Sequence, residues 1–206
     1  IRDSSSITYR PDNTSPFNYP IPNRVAWPSW GICVRAVISR RHKRMNRLNK
    51  DVSKFRLDGQ AALVTGSTRG IGWAIARGMA ESGSTVYVNG RDKKVLAARC
   101  KNLIDLGYDA KPALFDATNI EAINRFLDRT GTPIDILVNN AAIRLRKPLN
   151  EISPKAFSEV LEANLTSIYA ISRSFAARLE DQQTNGSLIN ITSIAGPRAR
   201  PGDPAY

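Results

Sequence analysis

Three glycines, Gly66, Gly70 and Gly72, lie in a stretch whose residue types suit the binding of a phosphate group. They follow the apolar run QAALVT at residues 60–65 and come at the start of a helical apolar pattern. A glycine-rich turn between a buried strand and a helix binds the pyrophosphate of a dinucleotide, because the helix N-terminus offers unpaired N–H groups and a partial positive charge. The spacing is G-x-x-x-G-x-G, not the generic G-x-G-x-x-G. The predicted cofactor-binding residues of this turn are Gly66, Ser67, Thr68, Arg69, Gly70, Ile71 and Gly72.

The residues after the second predicted strand bear on which dinucleotide this is. Enzymes of this type that use NAD place an acidic residue there, which binds the ribose 2′-hydroxyl. Here the strand ends in Gly90 and is followed by Arg91, and Arg69 lies in the glycine turn. Guanidinium groups without an acid favour a ribose 2′-phosphate, so NADP is predicted over NAD. The alternative is that both arginines are solvated surface residues.

These residues require a framework of alternating strands and helices. The apolar runs at 60–65, 84–89, 110–115, 134–139 and 186–192 predict five buried strands. Helical patterns separate the strands, so the predicted fold class is α/β, with a Rossmann-type doubly wound parallel sheet.

Each helix has a predicted boundary or apolar face. Asp92 is expected to cap the second helix, Thr118 with Glu121 to form a capping box on the third, and Ser153-Pro154 to begin a long fourth helix. The predicted inward residues are, in the first helix, Ile71, Ala74, Ile75, Gly78 and Met79; in the second, Val95, Leu96, Cys100 and Leu103; and in the fourth, Phe157, Val160, Leu161, Leu165, Ile168, Phe175 and Leu179.

The charge is concentrated in the first quarter of the chain. The formal net charge of the chain is +12. Residues 1–56 carry twelve Lys and Arg against three Asp and Glu, a net charge of +9, so residues 57–206 carry only +3. This first stretch is rich in Pro, Ser and Arg and is expected to be a disordered or non-native extension. It also resembles an organellar transit peptide or a basic arm that contacts phosphates. We favour an upstream extension of the reading frame, with a start at Met45.

Cysteine and histidine usage excludes several kinds of site. Cys33 and Cys100 lie far apart without a metal-ligand spacing, which favours a reducing compartment and predicts neither a disulfide nor a metal site. His42 is the single histidine and sits in a basic run, so a Ser-His-Asp triad is not expected.

Four motifs together resemble the short-chain dehydrogenase/reductase family. They are TGSTRGIG at 65–72, NNAA at 139–142, Asn164 in EANLTS, and Ser193 thirteen residues before Tyr206. Ala142 replaces the glycine that the family has at the end of NNAG. The resemblance implies that Asp116, Asn139 and Ala141 also contact the cofactor.

The resemblance also implies a catalytic group of Asn164, Ser193 and Tyr206. Tyr206 would exchange a proton with the substrate oxygen, Ser193 would hydrogen-bond that oxygen, and Asn164 would fix a helix bend and hold water in the proton path. The family's catalytic lysine would stand four positions beyond Tyr206. The chain is therefore expected to be truncated, with a sheet incomplete after the fifth strand, and to be inactive as it stands.

The substrate is expected to be acidic. Arg144, Arg146 and Lys147 follow the fourth strand, where they either meet an anionic substrate or form a solvated loop. The sequence resembles the gluconate 5-dehydrogenase and 3-oxoacyl-(acyl-carrier-protein) reductase branches of the family. These imply a keto acid, a sugar acid or a 3-oxoacyl thioester, a cytoplasmic homotetramer or homodimer, and no nucleic-acid or membrane partner. The alternative is a non-catalytic NADPH-binding sensor or regulator of the same fold.

Overall fold

The computed structural model describes residues 53–195, which form one parallel sheet with helices on both faces. Tyr206, Met45, Cys33 and His42 lie outside the described residues. The strands are β1 Ala61–Val64, β2 Thr85–Gly90, β3 Ala110–Leu114, β4 Ile136–Asn139 and β5 Ser187–Asn190. The α-helices are α1 Gly70–Glu81, α2 Lys93–Ile104, α3 Ile120–Arg129, α4 Pro154–Leu161 and α5 Ser167–Asp181, with short 3-10 turns at Ser53–Phe55 and Leu149–Glu151.

The five strands are all parallel and lie in the order β3-β2-β1-β4-β5. Leu63 of β1 is in register with Tyr87 of β2 on one side and with Leu137 of β4 on the other. The order reverses between β1 and β4, and a doubly wound sheet has its ligand crevice at the carboxyl ends of such a pair. The predicted fold class is confirmed, and β5 is the edge strand next to β4 in the described part of the chain.

Alternation along β1 divides the core between the two faces of the sheet. Ala62 and Val64 belong to the cluster that includes residues of α1 and α2, whereas Ala61 and Leu63 belong to the cluster that includes residues of α3 and α5. Both pairs are at most 1% exposed. Such burial on both faces explains why β1 reads as a continuous apolar run.

The helix that follows the glycine turn packs on the sheet through small residues. Gly72, Ala76 and Ala80 are its buried residues, so α1 lies close to the strands. The prediction that Ile71, Ala74 and Gly78 face inward is wrong, because these three are exposed. Larger side chains occupy the flanks of the contact, where Trp73, Ile75 and Met79 are partly buried.

The capping predictions hold for α2 and fail for α3. The Asp92 carboxylate accepts hydrogen bonds from the amides of Lys94 and Val95, as predicted. Asn119, not Thr118, caps α3, and its Oδ1 lies 2.9 Å from the amide of Ala122. The helix starts one residue later than the predicted capping box requires. Asparagine is as good an N-cap as serine or threonine.

One inward residue of α2 was also predicted wrongly. Leu96, Cys100 and Leu103 are buried as expected, but the Val95 side chain is 45% exposed. Val95 lies instead on the face of α2 that looks toward the carboxyl ends of the strands.

A π-helical turn interrupts the long predicted helix. Ser153 caps its start and accepts a hydrogen bond from the amide of Ala156, as predicted, but residues Glu162–Thr166 form a π turn between α4 and α5. The wider turn rotates the following residues, so the predicted apolar stripe splits. Phe157, Leu161 and Leu165 are exposed, whereas the inward residues are Val160, Ala163, Ser167, Ile171 and Phe175.

Within residues 53–195, no helix has both the length and the apolar composition that are needed to span a lipid bilayer.

Candidate functional site

The glycine turn after β1 forms a tight loop whose shape depends on three glycines. Gly66 and Gly70 have φ values of +61° and +57°, a conformation that side chains other than glycine rarely adopt. A Cβ at Gly72 would lie 2.3 Å from Nδ2 of Asn140 and 2.7 Å from the carbonyl oxygen of Gly66. The absence of side chains therefore brings α1 against the loop after β4 and leaves the turn's backbone open.

Two buried polar residues anchor this turn to β2. Ser67 is fully buried, and its hydroxyl donates to the carbonyl of Val64 at 2.7 Å and accepts from the amide of Asn89 at 2.9 Å. The Asn89 side chain accepts from the amide of Gly66 and donates to the carbonyls of Ala113 and Phe115. The Ser67 hydroxyl is therefore used within the protein, and the contact of Ser67 with a cofactor stays a prediction.

A cleft of about 1220 Å³ opens at the carboxyl ends of β1, β2 and β4. Its volume exceeds the usual range for drug-sized ligands, as an extended dinucleotide requires. It lies at the reversal of strand order, where the sequence pattern predicts the ligand. The predicted cofactor residues that line it are Gly66, Thr68, Arg69, Gly70, Ile71, Gly72, Arg91, Asp116 and Ala141.

Asn139 does not line this cleft, although the resemblance predicts it as a cofactor contact. Its side chain is 1% exposed and donates to the Ser172 hydroxyl at 3.0 Å and to Oδ1 of Asn190 at 2.9 Å. It therefore joins β4 to α5 and β5. The neighbouring Asn140 lines the cleft and donates to the carbonyl oxygens of Thr65 and Gly66.

Arginine and aspartate side chains both line the end of the cleft near β2. Nη1 of Arg91 lies 3.3 Å from Oδ2 of Asp116. Partial burial raises the pKa of Asp116, but hydrogen bonds from Thr118 and the charge of Arg91 outweigh burial and hold that pKa below its usual value. Arg69 is exposed at the N-terminus of α1. No acidic side chain occupies the last position of β2, which is Gly90.

Arg99 and Asn89 are among the cleft residues that the sequence analysis missed. Arg99 on α2 lines the cleft, and its Nε donates to the carbonyl of Thr68 at 2.8 Å. Asn89 was missed as well, although a polar residue at the end of an apolar strand is a usable signal. Arg99 gave no such signal, because an arginine on a helix is usually solvated.

Asn164 and Ser193 lie beyond the carboxyl ends of neighbouring strands. Asn164, in the π turn, accepts from the amide of Ile143 at 2.9 Å and donates to its carbonyl at 2.8 Å. It thus fastens the loop after β4 to the helix bend. Ser193 follows β5, and its hydroxyl accepts from the amide of Ala195 at 3.1 Å, which leaves its own proton for another acceptor.

The loop after β4 presents basic side chains. Arg144, Arg146 and Lys147 are all exposed there. Both alternatives from the sequence, a substrate contact and a solvated loop, require such exposure.

A smaller cavity of about 270 Å³ lies at the opposite end of the strands, next to the residues that precede β4. Its arginine, Arg178, is already bonded to Asp128 at 2.5 Å and to the side chain and carbonyl of Asn124. The helical lining residues of this cavity come from the C-terminal parts of α3 and α5, where the helix dipole does not favour an anion. The large cleft is therefore the candidate site.

The residues of the large cleft fit a dinucleotide. The glycine turn offers open backbone at the N-terminus of α1 for a pyrophosphate. Arg69 and Arg91 offer guanidinium donors for a further phosphate.

Comparison with known proteins agrees with this geometry. The sequence profile of the family described as short chain dehydrogenase matches residues 60–206. Gluconate 5-dehydrogenase of Gluconobacter oxydans is 36% identical over 155 residues, which cover 74% of this chain and 60% of that protein. The 3-oxoacyl-(acyl-carrier-protein) reductase of Chlamydia muridarum is 36% identical over 155 residues, covering 73% and 62%.

Solved structures show the same fold. A gluconate 5-dehydrogenase from Burkholderia cenocepacia, in complex with NADP and tartrate, is 36% identical with a TM-score of 0.69, covering 76% of this chain and 62% of that one. A 3-oxoacyl (acyl-carrier-protein) reductase from Agrobacterium tumefaciens with NADP bound is 32% identical with a TM-score of 0.67, covering 74% and 59%. This chain spans about 60% of the length of the curated relatives it matches.

Proposed function

Because the chain belongs to the short chain dehydrogenase family, we propose that the complete protein is an oxidoreductase that uses NADP(H) to interconvert a carbonyl and a hydroxyl group. The observation that carries this proposal is the cleft itself, with its open glycine turn and arginines beside a strand end without an acid.

NADP is favoured over NAD by the residues at the end of β2. Arg69 and Arg91 both line the cleft, and Gly90 offers no carboxylate to a ribose hydroxyl. Arginine matches a phosphate with two parallel hydrogen bonds. Two similar solved structures contain NADP, which is a property of those proteins and supports the same choice here.

Three residues form the proposed catalytic group, and two of them act directly on the substrate. A bound nicotinamide supplies or accepts the hydride. Tyr206 donates a proton to the substrate oxygen during reduction and accepts it during oxidation; its free pKa of about 10 requires nearby positive charge for this role. The Ser193 hydroxyl donates a hydrogen bond to the same oxygen. Asn164 holds the loop after β4, through Ile143, next to the helix bend.

We propose an acidic substrate: a keto acid, a sugar acid or a 3-oxoacyl thioester. The exposed basic residues Arg146 and Lys147 lie beyond β4, on the side of the sheet where the cleft opens. The names of the relatives, a gluconate dehydrogenase and an acyl-carrier-protein reductase, support this class.

We also propose that the complete protein is a cytoplasmic homotetramer or homodimer that acts on a small molecule, without a nucleic-acid or membrane partner. Exposed apolar side chains on α4 and the π turn support self-association. Phe157, Leu161 and Leu165 are 42%, 40% and 64% exposed at helical spacing.

The test follows NADPH absorbance at 340 nm with a panel of keto acids, sugar acids and 3-oxoacyl thioesters. The complete gene product is compared with Ser193→Ala and Tyr206→Phe. We expect turnover by the wild type and a loss of about 100-fold or more in kcat for Tyr206→Phe, with an unchanged Kd for NADPH.

Turnover by Tyr206→Phe equal to the wild type would require another proton donor. NADPH binding by the wild type without turnover on any substrate of the panel would favour the sensor or regulator alternative.

A further inference from the structure

We propose that Arg99, held in place by its contact with the glycine turn, selects the phosphorylated dinucleotide by presenting its guanidinium to the ribose 2′-phosphate. This inference rests on the proposed use of NADP(H). Arg99 is neither in the glycine turn nor adjacent to β2, so the motif that predicts the cofactor does not include it.

The position of Arg99 follows from the geometry of α2. Asp92, Val95 and Arg99 are three and four residues apart, which places them on one face of the helix. All three line the cleft. Arg99 is half-buried on this face.

Two contacts hold the Arg99 side chain in place. Its Nε donates to the carbonyl of Thr68 at 2.8 Å, and its Cζ lies 4.9 Å from the ring centroid of Trp73 on α1. Stacking on an aromatic ring and a directed hydrogen bond both restrict the planar guanidinium. Arg99 therefore connects α2 to the glycine turn and to α1, and little side-chain freedom remains to be lost on binding.

The rest of the guanidinium is available for a ligand. Nη1 and Nη2 of Arg99 have no hydrogen-bond partner among residues 53–195, since its one hydrogen bond there uses Nε. These two nitrogens carry four N–H donors, and a phosphate monoester offers three strong acceptor oxygens.

Arg99 also differs from Arg91 because no carboxylate of the described residues forms an ion pair with it. Arg91 is paired with Asp116, so part of its charge is already offset. The Asp92 carboxylate also lines the cleft, and it accepts hydrogen bonds from the amides of Lys94 and Val95. Neither Arg99 nor Arg69 makes an ion pair within the described part of the chain, so both keep their full charge for an anion.

The test must separate a phosphate contact from a purely structural clamp. A clamp acts through the glycine turn and would weaken every adenine nucleotide that binds there. A phosphate contact would weaken only nucleotides with a 2′-phosphate. We therefore compare adenosine 2′,5′-bisphosphate with adenosine 5′-monophosphate, which differ only in that group, by calorimetric titration of the complete gene product.

Arg99→Gln removes the charge but keeps a hydrogen-bond donor for Thr68. We expect it to bind the 2′,5′-bisphosphate about tenfold more weakly and the 5′-monophosphate within about twofold of the wild type. Arg99→Lys keeps the charge without the planar fork, and we expect a selective loss of about threefold. Arg77→Gln is the matched control, because Arg77 is an exposed arginine outside the cleft and is paired with Glu81. This variant should bind both nucleotides as tightly as the wild type does.

Equal weakening of both nucleotides by Arg99→Gln, or no weakening, would overturn the inference while leaving the proposed function intact. If circular dichroism shows that Arg99→Gln does not fold, the same comparison of the two nucleotides is made with Arg99→Lys, and its result decides between a phosphate contact and a structural clamp. A wild type that binds the two nucleotides equally would overturn both the inference and the choice of NADP.

Discussion

At the scale of single residues, Gly90 matters for its size as well as for the missing acid. A Cβ at this position would lie 2.6 Å from Cγ2 of Thr68, a β-branched side chain in the glycine turn. Any larger residue at position 90 must therefore displace Thr68, whatever its charge. A cofactor-switching experiment at Gly90 consequently needs a control for this steric effect.

We predict that Gly90→Ala and Gly90→Asp separate the two effects. Gly90→Ala should weaken NADPH and NADH by similar factors, because it shifts Thr68 without adding charge. Gly90→Asp should add a selective loss for NADPH of about tenfold relative to Gly90→Ala, because a carboxylate repels the 2′-phosphate. The measurement is the Kd of each variant for both cofactors. A ratio of the two Kd values that is the same in Gly90→Asp and Gly90→Ala would contradict the assigned position of the 2′-phosphate.

The sequence predicted the backbone path around the site better than the direction of its side chains. Glycines and apolar runs fix where a turn must lie, so the loop from Gly66 to Gly72 was found. They do not say which polar side chains point inward. Ser67 and Asn139 were assigned to the cofactor, but both are used inside the protein. The bond from the amide of Asn89 to the Ser67 hydroxyl and the bonds of Asn139 to Ser172 and Asn190 join residues distant in sequence.

At the scale of elements, strand prediction succeeded because the strands of this parallel sheet read as apolar runs. The prediction that all five are buried holds for β1 and β4 but is wrong for β5, whose four residues are exposed. The helix faces were harder to predict. The stripe of α1 consists of Gly72, Ala76 and Ala80, which carry little hydrophobic signal. The π turn at Glu162–Thr166 adds residues to a turn, and a regular 3.6-residue period cannot represent it.

Gly72 and Gly78 both lie in α1, and the same substitution at each gives a pair of predictions about packing. Gly72→Ala should destabilise the protein by about 1–3 kcal/mol and weaken dinucleotide binding, because its Cβ meets Asn140 and the carbonyl of Gly66. Gly78→Ala has open space around it and should stabilise the protein by about 0.5–1 kcal/mol, because alanine favours a helix. Chemical denaturation measures both. Similar effects of the two substitutions would show that Gly72 does not make the close contact described.

At the scale of the whole molecule, the exposed apolar residues of α4 and the π turn bear on assembly. We predict that Leu165→Lys reduces the oligomeric size of the complete protein, because Leu165 is 64% exposed in this apolar stripe and a buried lysine would be costly. Leu106→Lys is the control, since Leu106 is a 60% exposed leucine after α2 and outside the stripe.

Size-exclusion chromatography with light scattering measures the mass of both variants. A wild type that is already monomeric, or equal changes in the two variants, would contradict self-association through this stripe.

The central claim is that the cleft at the carboxyl ends of β1, β2 and β4 binds a phosphorylated nicotinamide dinucleotide. The most direct test is a calorimetric titration of the wild-type complete gene product with NADPH and, in the same buffer, with NADH. The predicted result is one site with a Kd for NADPH at least about tenfold lower than that for NADH, a difference of about 1.4 kcal/mol in binding free energy. Equal affinities, tighter binding of NADH or no binding of either cofactor would contradict the claim.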